Sequence, residues 1–435
     1  TLSIDDAGVR IAALTSHGLA RAIQTLRQLF DPAIYDPAAS LDPADLPHLH
    51  IEDHPRFRWR GLHLDVSRHF FNVDDVCQYI ELLALHRYNT CHLHLTDDQG
   101  WRIQIRQYPR LIEVGSRRDG TLIGHERDRP RRYDDQPYAG HFTQDDIRRI
   151  VAFARRRRVT VVPEIDMPGH MSAAIAAYPE LGNFPERPVA VRCHWGISQS
   201  VLNVEPATVT FMRNVLDEVM DLFPSRFIHV GGDEAPKTEW SESRRAQDRM
   251  AELGLGSEDE LQSWFIRQMD QHLTAAGRRL IGWDEILEGG LAENAAVMSW
   301  RGEAGGIEAA RQGHDVVMAP NKHVYFDHGQ IDPADEPRLN IGGHTPLERV
   351  YAYEPIPAEL DADQARHVLG GQGQLWSEYI ADADYLHYMA YPRACALAEV
   401  LWDTQDHRDY AEFLPRLTHH RQRLTHARCT PHPRP

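Results

Sequence analysis

Short apolar segments that alternate with helical patterns constrain the fold of this chain more than any other feature. From residue 58 onward, eight strand-like segments end in polar residues, and amphipathic runs lie between them. The predicted strands are Gly61–Val66, Thr90–Thr96, Thr160–Ile165, Phe227–Val230, Leu280–Trp283, Val297–Trp300, Val316–Ala319 and Leu369–Leu375. Strands that alternate with helices in this way are typical of βα units. Eight such units over this length predict an α/β fold, the (β/α)8 barrel.

Helical runs between these strands carry start signals. The run Asp145–Arg156 follows Thr143, and Asp146 completes a capping box in which the two side chains accept from each other's backbone N–H groups. Three more helices are predicted at Val73–His86, Ala207–Phe223 and Glu258–Ala275. These signals support the alternation on which the barrel prediction depends.

Residues 1–45 differ from the rest of the chain. Val9–Ile11 alternates as a strand, Gly18 marks a turn, and Leu19–Phe30 has helical spacing. This segment is too short to bury a core of its own, so we expect it to be the end of a larger domain that packs on the barrel. The barrel domain is expected to cover residues 55–430, after a linker marked by Pro43, Pro47 and Pro55.

The charge of the chain argues against nucleic acid as a partner. The formal net charge is −17 at pH 7, which repels polyanions and anionic membranes. The one basic run, Arg155–Arg158, ends a predicted helix, where cations suit the helix dipole. No apolar run is long enough to span a bilayer, so we expect no membrane span.

Cysteine usage indicates neither a disulfide framework nor a zinc site. The five cysteines are scattered, odd in number and without a CxxC pair. Thr1 lies inside a predicted strand, so we expect the start to be trimmed, and the missing leader then says nothing about the compartment. A periplasmic or secreted location is favoured over a cytoplasmic one, and the oligomeric state is left open.

Two adjacent carboxylates follow the fourth predicted strand. That strand runs into Gly231 and Gly232, which free the backbone, and then into Asp233 and Glu234. Neighbouring residues on an extended chain point to opposite sides, so the two acids need not share one task. One could lie under a substrate while the other reaches its leaving group. A glycine turn with two solvated acids is the simpler alternative.

Polar side chains also follow the first three strands. Arg68 could fork two hydrogen bonds onto vicinal hydroxyls or pair with an acid. His170, in a Pro-Gly turn, could tune the pKa of a general acid or be satisfied by backbone partners. His92 and His94 suggest metal ligands, but they lie within the strand body and later strands supply no matching histidines. We therefore expect no metal and no cofactor.

Aromatic side chains end the later strands. Trp283, Trp300 and Trp376 follow strands five, six and eight, and Tyr325 with Asp327 follows the seventh. One tryptophan at a strand end usually packs in the core. Three tryptophans at the C-terminal ends of the strands, where barrel enzymes hold their active sites, suggest an apolar enclosure that binds part of a ligand. Aromatic rings bind the faces of sugars in this way.

Seven stretches, in order between about residues 57 and 403, resemble the family 20 glycoside hydrolases, the β-N-acetylhexosaminidases. They are Arg60–Phe70, His92–Trp101, Pro168–His170, His229–Glu234, Gly282–Glu285, Ser299–Arg301 and Trp376–Glu378. Each stretch alone has moderate specificity, whereas the ordered set is highly specific. The resemblance implies a (β/α)8 barrel preceded by a small α+β domain, of which residues 1–45 would be a truncated remnant.

The resemblance also implies exo-acting, retaining hydrolysis of terminal β-linked GlcNAc or GalNAc, in which the substrate's own 2-acetamido oxygen attacks C1. It makes Glu234 the general acid and then the base, while Asp233 stabilises the acetamido group and Tyr325 holds its carbonyl oxygen. Asp97 and His170 resemble a relay that sets the protonation of Glu234. The residues implied to bind the sugar are Arg68, Trp283, Trp300, Asp327, Trp376 and Glu378.

The partner implied is an oligosaccharide or glycoconjugate with such a terminal sugar. Two other classes stay open at this point. One is a silent sugar-binding barrel, whose signature would be the loss of Asp233 or Glu234. The other is a metal-dependent, amidohydrolase-like barrel based on His92 and His94. The sequence does not separate GlcNAc from GalNAc, nor chitin fragments from glycan termini.

Overall fold

Eight parallel strands close into a barrel, as the sequence predicts. The structure, a computed structural model, describes residues 1–36, 38–42, 44–332, 335–336 and 338–434. The barrel strands are β1 (Trp59–Asp65), β2 (Thr90–His94), β3 (Thr160–Glu164), β4 (Phe227–His229), β5 (Arg279–Trp283), β6 (Ala296–Ser299), β7 (Val316–Met318) and β8 (Val368–Gly373). Parallel pairing of β8 with β1 closes the ring. All eight predicted strands are confirmed, with ends that differ by at most two residues.

Helices surround the barrel and connect its strands. The α-helices are Ser16–Arg27, Val73–Leu85, Arg110–Glu113, Gln144–Arg156, Ser172–Ala177, Pro206–Leu222, Thr238–Glu242, Arg244–Leu253, Glu258–Ala275, Ala304–Arg311, Asn321–Val324, Leu347–Ala352, Ala362–Ala365, Ala383–Ala390, Arg393–Trp402 and Tyr410–His426. Four 3-10 helices are Pro32–Tyr35, Pro179–Leu181, Asp284–Leu287 and Gln405–His407. The connection from β5 to β6 contains only one of these 3-10 turns among the described residues, so the strand–helix alternation is broken there.

The predicted helix starts form for the predicted reason. Thr143 and Asp146 make both bonds of a capping box, and Asn72 makes the same pair of bonds with Asp75. The last turn of Gln144–Arg156 is basic, so the arginine run lies at a helix end as expected. Caps of this kind satisfy backbone N–H groups that the first helical turn leaves without partners.

The barrel strands are buried on both faces. Every residue of β1, β2 and β8 is buried, because side chains fill the interior and helices cover the exterior. Several of the interior side chains are polar, and the histidines 63, 92, 94 and 229 are all fully buried. Buried polar groups need partners, and these histidines are bound by acids and amides near the active site.

The start of the chain adds a small antiparallel sheet. Its strands are Leu2–Asp5, Gly8–Ile11 and Leu49–Ile51, and the first of them pairs with both others. The third strand follows residue 45, the predicted end of the domain remnant, and the division into domains stays a prediction. Of the linker prolines, Pro43 lies outside the described residues.

Short two-stranded sheets complete the list of strands: Thr96–Asp97 with Gly100–Trp101, Arg117–Arg118 with Tyr138–Ala139, and Leu122–Ile123 with Arg132–Tyr133. In the described part of the chain, none of the helices combines the length and apolarity needed to cross a bilayer.

Candidate active site

Ten of the eleven predicted site residues line one cavity of about 550 Å³ at the C-terminal ends of the strands. They are Arg68, His170, Asp233, Glu234, Trp283, Trp300, Tyr325, Asp327, Trp376 and Glu378. The eleventh residue, Asp97, is buried behind the cavity wall and contacts it through Arg68 and His170. All eight strands therefore contribute one or more of these residues. These residues lie together because parallel strands bring their C-terminal ends to one end of the barrel, and their roles stay predictions.

The glycines before the two acids are required by space and by backbone conformation. Gly231 and Gly232 have φ values of 66° and 97°, and a Cβ on Gly231 would lie 1.7 Å from Oδ1 of Asp166. Asp166 Oδ1 also accepts a hydrogen bond from the Gly232 N–H at 3.3 Å. Glu234 itself has a φ of 47°, a conformation that costs an L-residue roughly 1–2 kcal/mol. Strained backbone of this kind is characteristic of functional sites.

The two acids occupy different environments, as expected from their opposite directions. Asp233 is buried, with 7% of its surface exposed, whereas the Glu234 side chain is 34% exposed. Burial raises the pKa of Asp233 to about 6, with the imidazolium of His170 acting against the shift and the Glu234 carboxyl adding to it. Asp233 is therefore held at the floor of the cavity, and Glu234 faces its opening.

His170 connects the two acids to Asp97. Its Nδ1 lies 3.1 Å from Asp97 Oδ1, and its Nε2 lies 3.5 Å from Glu234 Oε2 and 3.7 Å from Asp233 Oδ2. Burial alone would lower the pKa of His170, but the nearby carboxylates of Asp97 and Glu234 raise it well above the usual value. The raised pKa favours the imidazolium form of His170, whose Nε2–H lies toward Glu234. The predicted relay is present in geometry.

Arg68 is held by a cluster of carboxylates. Its guanidinium lies 2.8 Å from Asp97 Oδ2, 3.2 Å from Asp65 Oδ2 and 4.0 Å from Glu378 Oε1. Its Nε donates to Gln99. The ion-pair interpretation of Arg68 is confirmed, and the hydroxyl-binding interpretation stays a prediction for a side chain that also lines the cavity. A planar donor fixed in this way is suited to bind sugar hydroxyls.

Aromatic side chains form the walls of the cavity. The rings of Trp283 and Trp376 lie 5.7 Å apart, and the rings of Trp300 and Tyr325 are stacked at 6.1 Å. Burial raises the pKa of Tyr325 well above its usual value, so its phenol remains a hydrogen-bond donor. The arrangement is an apolar enclosure with one phenol aimed into it, consistent with the predicted aromatic box.

Two acids at the far end of the cavity keep an oxygen without a hydrogen-bond partner among the described residues. They are Asp327, through Oδ1, and Glu378, through Oε2. Burial raises the pKa of Asp327 well above its usual value, and it raises that of Glu378 against the attraction of Arg68. Buried polar atoms that lack partners are costly, so these oxygens are expected to bind hydroxyls of a ligand.

Glu285 is a cavity neighbour to which the sequence analysis assigned no role. Its Oε2 accepts from Nε1 of Trp300 at 2.9 Å, which fixes the orientation of that ring. Burial, together with repulsion from Asp233 and Asp284, raises the pKa of Glu285 to about 8. It is therefore protonated at neutral pH and adds no charge beside Asp233.

Glu164, on β3, is the main residue that the sequence analysis missed. Its Oε1 accepts from Nε1 of Trp283 at 2.9 Å, and its Oε2 lies 2.6 Å from Nδ1 of His94. His94 in turn bonds Asp97 through Nε2 at 2.8 Å. One continuous set of hydrogen bonds thus joins the tryptophan wall to Asp97, and Asp97 to His170. A buried carboxylate at the end of a strand next to a histidine pair was the available signal.

The expectation that later strands supply no histidines to match His92 is wrong. His229, on β4, faces His92, and both rings lie against Glu164, with nitrogen–oxygen distances of 3.0 Å. The three residue types could hold a metal ion, and their ligand atoms lie within 4.8 Å of one another. The hydrogen bonds of Glu164 go to His94 and Trp283 instead, and Nδ1 of His229 accepts from the Gly231 N–H.

Two long connections cover the cavity. Segment 184–200 contributes Trp195, Gly196 and Ile197, and segment 328–343 contributes His328 and residues 341–343. Both were predicted as loops over the site, and residues 333, 334 and 337 of the second lie outside the described part.

Comparison with known proteins agrees with this geometry. Residues 57–405 match the catalytic domain of glycosyl hydrolase family 20. The chain is 47% identical over 421 residues to a β-hexosaminidase of Porphyromonas gingivalis, and 38% identical over 409 residues to one of Vibrio furnissii. These alignments cover 96% and 93% of this chain but only 52% and 65% of the relatives.

A solved structure is similar over the whole chain. The N-acetyl-β-hexosaminidase of Streptomyces plicatus, in complex with Thio-NAglucal, has a TM-score of 0.85 and 33% sequence identity. The match covers 100% of this chain and 81% of that one. The (β/α)8 architecture predicted from the sequence is therefore shared with an enzyme whose ligand has been seen in place.

Proposed function

The chain belongs to glycosyl hydrolase family 20, and on that premise we propose that it is an exo-acting, retaining β-N-acetylhexosaminidase. Its substrates are oligosaccharides or glycoconjugates that end in β-linked GlcNAc or GalNAc. The observation that carries the proposal is the arrangement of Asp233 and Glu234 at one end of a strand, beside an aromatic enclosure. In this mechanism no protein carboxylate acts as the nucleophile, because the acetamido group of the bound sugar attacks C1.

In the first step, Glu234 protonates the glycosidic oxygen while the acetamido oxygen attacks C1. The leaving group departs with that proton, and the sugar closes into an oxazolinium ring. Asp233 accepts the acetamido N–H and stabilises the positive charge, which a buried anion does effectively in a site that excludes water. Tyr325 donates to the acetamido oxygen and holds it in line. The burial of Asp233 in the cavity wall supports this assignment.

In the second step, Glu234 takes a proton from water, which attacks C1 and reopens the ring. Two displacements on C1 leave the β configuration unchanged. His170 supports both steps, because its Nε2–H can donate to Glu234 when that residue is ionised. Asp97 keeps the imidazole charged and oriented. Attack within one bound molecule also avoids the entropy of bringing two reactants together.

The remaining residues select and hold the terminal sugar. Trp283 lines the cavity and is almost fully buried, and we assign to it the inner wall that stops the sugar chain from passing through the site. This supports exo action. Arg68 and Glu378 are placed to bind ring hydroxyls, and Asp327 is placed to bind O6 or its neighbour. Trp300 and Trp376 line the acetamido group and one face of the sugar.

The stereochemistry of the product tests this proposal. Hydrolysis of a nitrophenyl β-GlcNAc glycoside followed by proton NMR is expected to show the β anomer of free GlcNAc first, with the α anomer growing later by mutarotation. The physical reason is the two displacements at C1. An α anomer that forms first would mean direct attack by water, and the proposed intermediate would then be wrong.

Acidic pH is expected to inactivate the enzyme through Asp233. The residue must be an anion to stabilise the oxazolinium ring, and its pKa of about 6 means that it becomes protonated as the pH falls below that value. We therefore expect the acidic limb of the pH profile of kcat/KM to level off above about pH 6. Well below pH 6, kcat/KM is expected to fall about tenfold per pH unit.

The variant Asp233→Asn provides the control for this profile. It removes the titrating group while keeping the shape, so the remaining low activity is expected to lose the acidic limb centred near pH 6. A limb that persists unchanged in Asp233→Asn would assign the titration to another group. Circular dichroism at each pH shows that the fold is retained across the range.

A further inference from the structure

Two histidines and one cysteine converge outside the active site. His86 caps the end of helix Val73–Leu85, Cys395 lies in the first turn of helix Arg393–Trp402, and His420 lies on the C-terminal helix Tyr410–His426. Their ligand atoms lie within 4.8 Å of one another. They line a cavity of about 990 Å³ that shares no residue with the active-site cavity.

Both short contacts within this cluster involve Nε2 of His86. His86 Nε2 lies 2.9 Å from Nε2 of His420 and 3.3 Å from Sγ of Cys395. The other ring nitrogen of His86, Nδ1, lies 2.7 Å from the carbonyl oxygen of Leu82. A carbonyl only accepts, so Nδ1 carries the hydrogen and donates it. The free electron pair of His86 therefore lies on Nε2 and points at the other two side chains.

Hydrogen bonds alone do not use this arrangement well. Because Nδ1 of His86 donates to Leu82, the ring offers a single lone pair, at Nε2. The thiol of Cys395 and an N–H of His420 would then compete as donors for that one acceptor. A cation between the three atoms would instead use a lone pair from each of them.

The geometry matches what a transition metal requires. In tetrahedral zinc sites the metal lies about 2.0–2.1 Å from histidine nitrogen and about 2.3 Å from cysteine sulfur, so neighbouring ligand atoms lie roughly 3.3–3.6 Å apart. The separations of 2.9 Å between the two Nε2 atoms and 3.3 Å between His86 Nε2 and the sulfur require movements of only a few tenths of an ångström. Imidazole and thiolate ligands suit zinc and similar transition metals. A metal-binding histidine usually donates its second ring N–H to a carbonyl or a carboxylate, as His86 does to Leu82.

We propose that His86, Cys395 and His420 form a binding site for a transition-metal ion of the Zn²⁺ class. The two Nε2 atoms and the cysteine sulfur are the protein ligands, and a solvent molecule in the adjoining cavity completes the tetrahedron. On binding, the S–H bond of Cys395 breaks, its proton passes to solvent, and the sulfur electron pair forms the bond to the metal. No oxidation takes place.

The proposed metal site lies between helices, where a bound ion would stabilise the fold. It joins the helix Val73–Leu85, which lies between β1 and β2, to the helix Arg393–Trp402, which follows β8. The barrel closes by the pairing of β8 with β1. The site also fixes the C-terminal helix to both of these helices. A metal held here would act as a crosslink between segments more than 300 residues apart in sequence. The spacing of the ligands explains why the cysteine pattern gave no sign of a site.

Cobalt(II) is the probe that tests this proposal. The full chain is freed of metal with a chelator and titrated with Co²⁺, and we expect one ion per chain with the near-ultraviolet absorption of a cobalt–thiolate bond. Added Zn²⁺ is expected to remove the cobalt signal and to raise the Tm of the metal-free protein. Cys395→Ser is expected to abolish the thiolate absorption, and His420→Gln to weaken Co²⁺ binding at least about tenfold.

Matched variants separate a site from general damage. Cys77→Ser changes another free cysteine on the His86 helix, and His419→Gln changes the exposed neighbour of His420. Both are expected to bind Co²⁺ like the parent chain. If Cys395→Ser does not fold, His420→Gln still decides, because its ring is only half-buried. Absence of a thiolate absorption in the parent, or one that survives loss of Cys395, would overturn the proposal and leave a hydrogen-bonded cluster.

Discussion

Replacing Glu234 by glutamine is expected to lower kcat/KM for nitrophenyl β-GlcNAc by about two to four orders of magnitude. The amide keeps the size of the side chain and can still bond to His170, which lies 3.5 Å from the present carboxylate. It cannot deliver a proton to the glycosidic oxygen or take one from water. The loss is therefore expected in both steps, and it isolates proton transfer from substrate binding.

The leaving group gives this experiment a second readout. A dinitrophenol departs as a stable anion and needs little protonation, so the first step of the glutamine variant is expected to recover on that substrate. Glu288→Gln is the matched control, because Glu288 binds Arg301 and does not line the active-site cavity. Activity of Glu234→Gln within about tenfold of the parent on every leaving group would place the general acid elsewhere.

Removing the acetamide from the substrate is expected to have an effect of similar or greater size. A β-glucoside has a hydroxyl at C2 where GlcNAc has the acetamido group, so it carries no group that can attack C1. Intramolecular attack in a good geometry is equivalent to effective molarities of roughly 10⁵–10⁸ M, and we expect the glucoside to lose at least about four orders of magnitude in kcat/KM. Asp233, which is buried, would also lack the acetamido N–H that the proposed mechanism assigns to it.

The residues at the strand ends could be predicted from the sequence because the fold determines where they go. Arg68 and Trp376 are about 300 residues apart, yet the guanidinium lies 5.0 Å from the ring centre. Once eight parallel strands close into a barrel, whatever follows each strand must lie at the same end. The sequence needed only to identify the strands, and their apolar character made that possible.

The contacts inside the barrel could not be predicted in the same way. Strands buried on both faces show no alternation of polar and apolar residues, so the sequence does not say which side chains point inward. Glu164 and His229 were therefore not assigned to His92, and the hydrogen bond that Trp283 donates to Glu164 was missed. Asp97 was recognised by resemblance, but its position behind the cavity wall depends on a tight two-stranded turn after β2.

Clusters outside the barrel depend on how helices pack, which local patterns do not encode. His86 and His420 are 334 positions apart and meet because the C-terminal helix lies beside the first barrel helix. The two histidines belong to different helical patterns, and neither pattern refers to the other. The same limit applies to the loops over the cavity, whose existence was predicted but whose contributions, such as Trp195, were not.

The central claim is that the substrate's own amide is the nucleophile and that Asp233 and Glu234 serve it. The most direct measurement compares kcat/KM of the purified chain for nitrophenyl β-glycosides of GlcNAc, GalNAc and glucose under one set of conditions. We predict turnover of one or both acetamido sugars and a glucoside value lower by at least about ten thousandfold. Hydrolysis of the glucoside at a rate comparable to that of the acetamido sugars would contradict the claim, because the attacking group would then have to come from the protein.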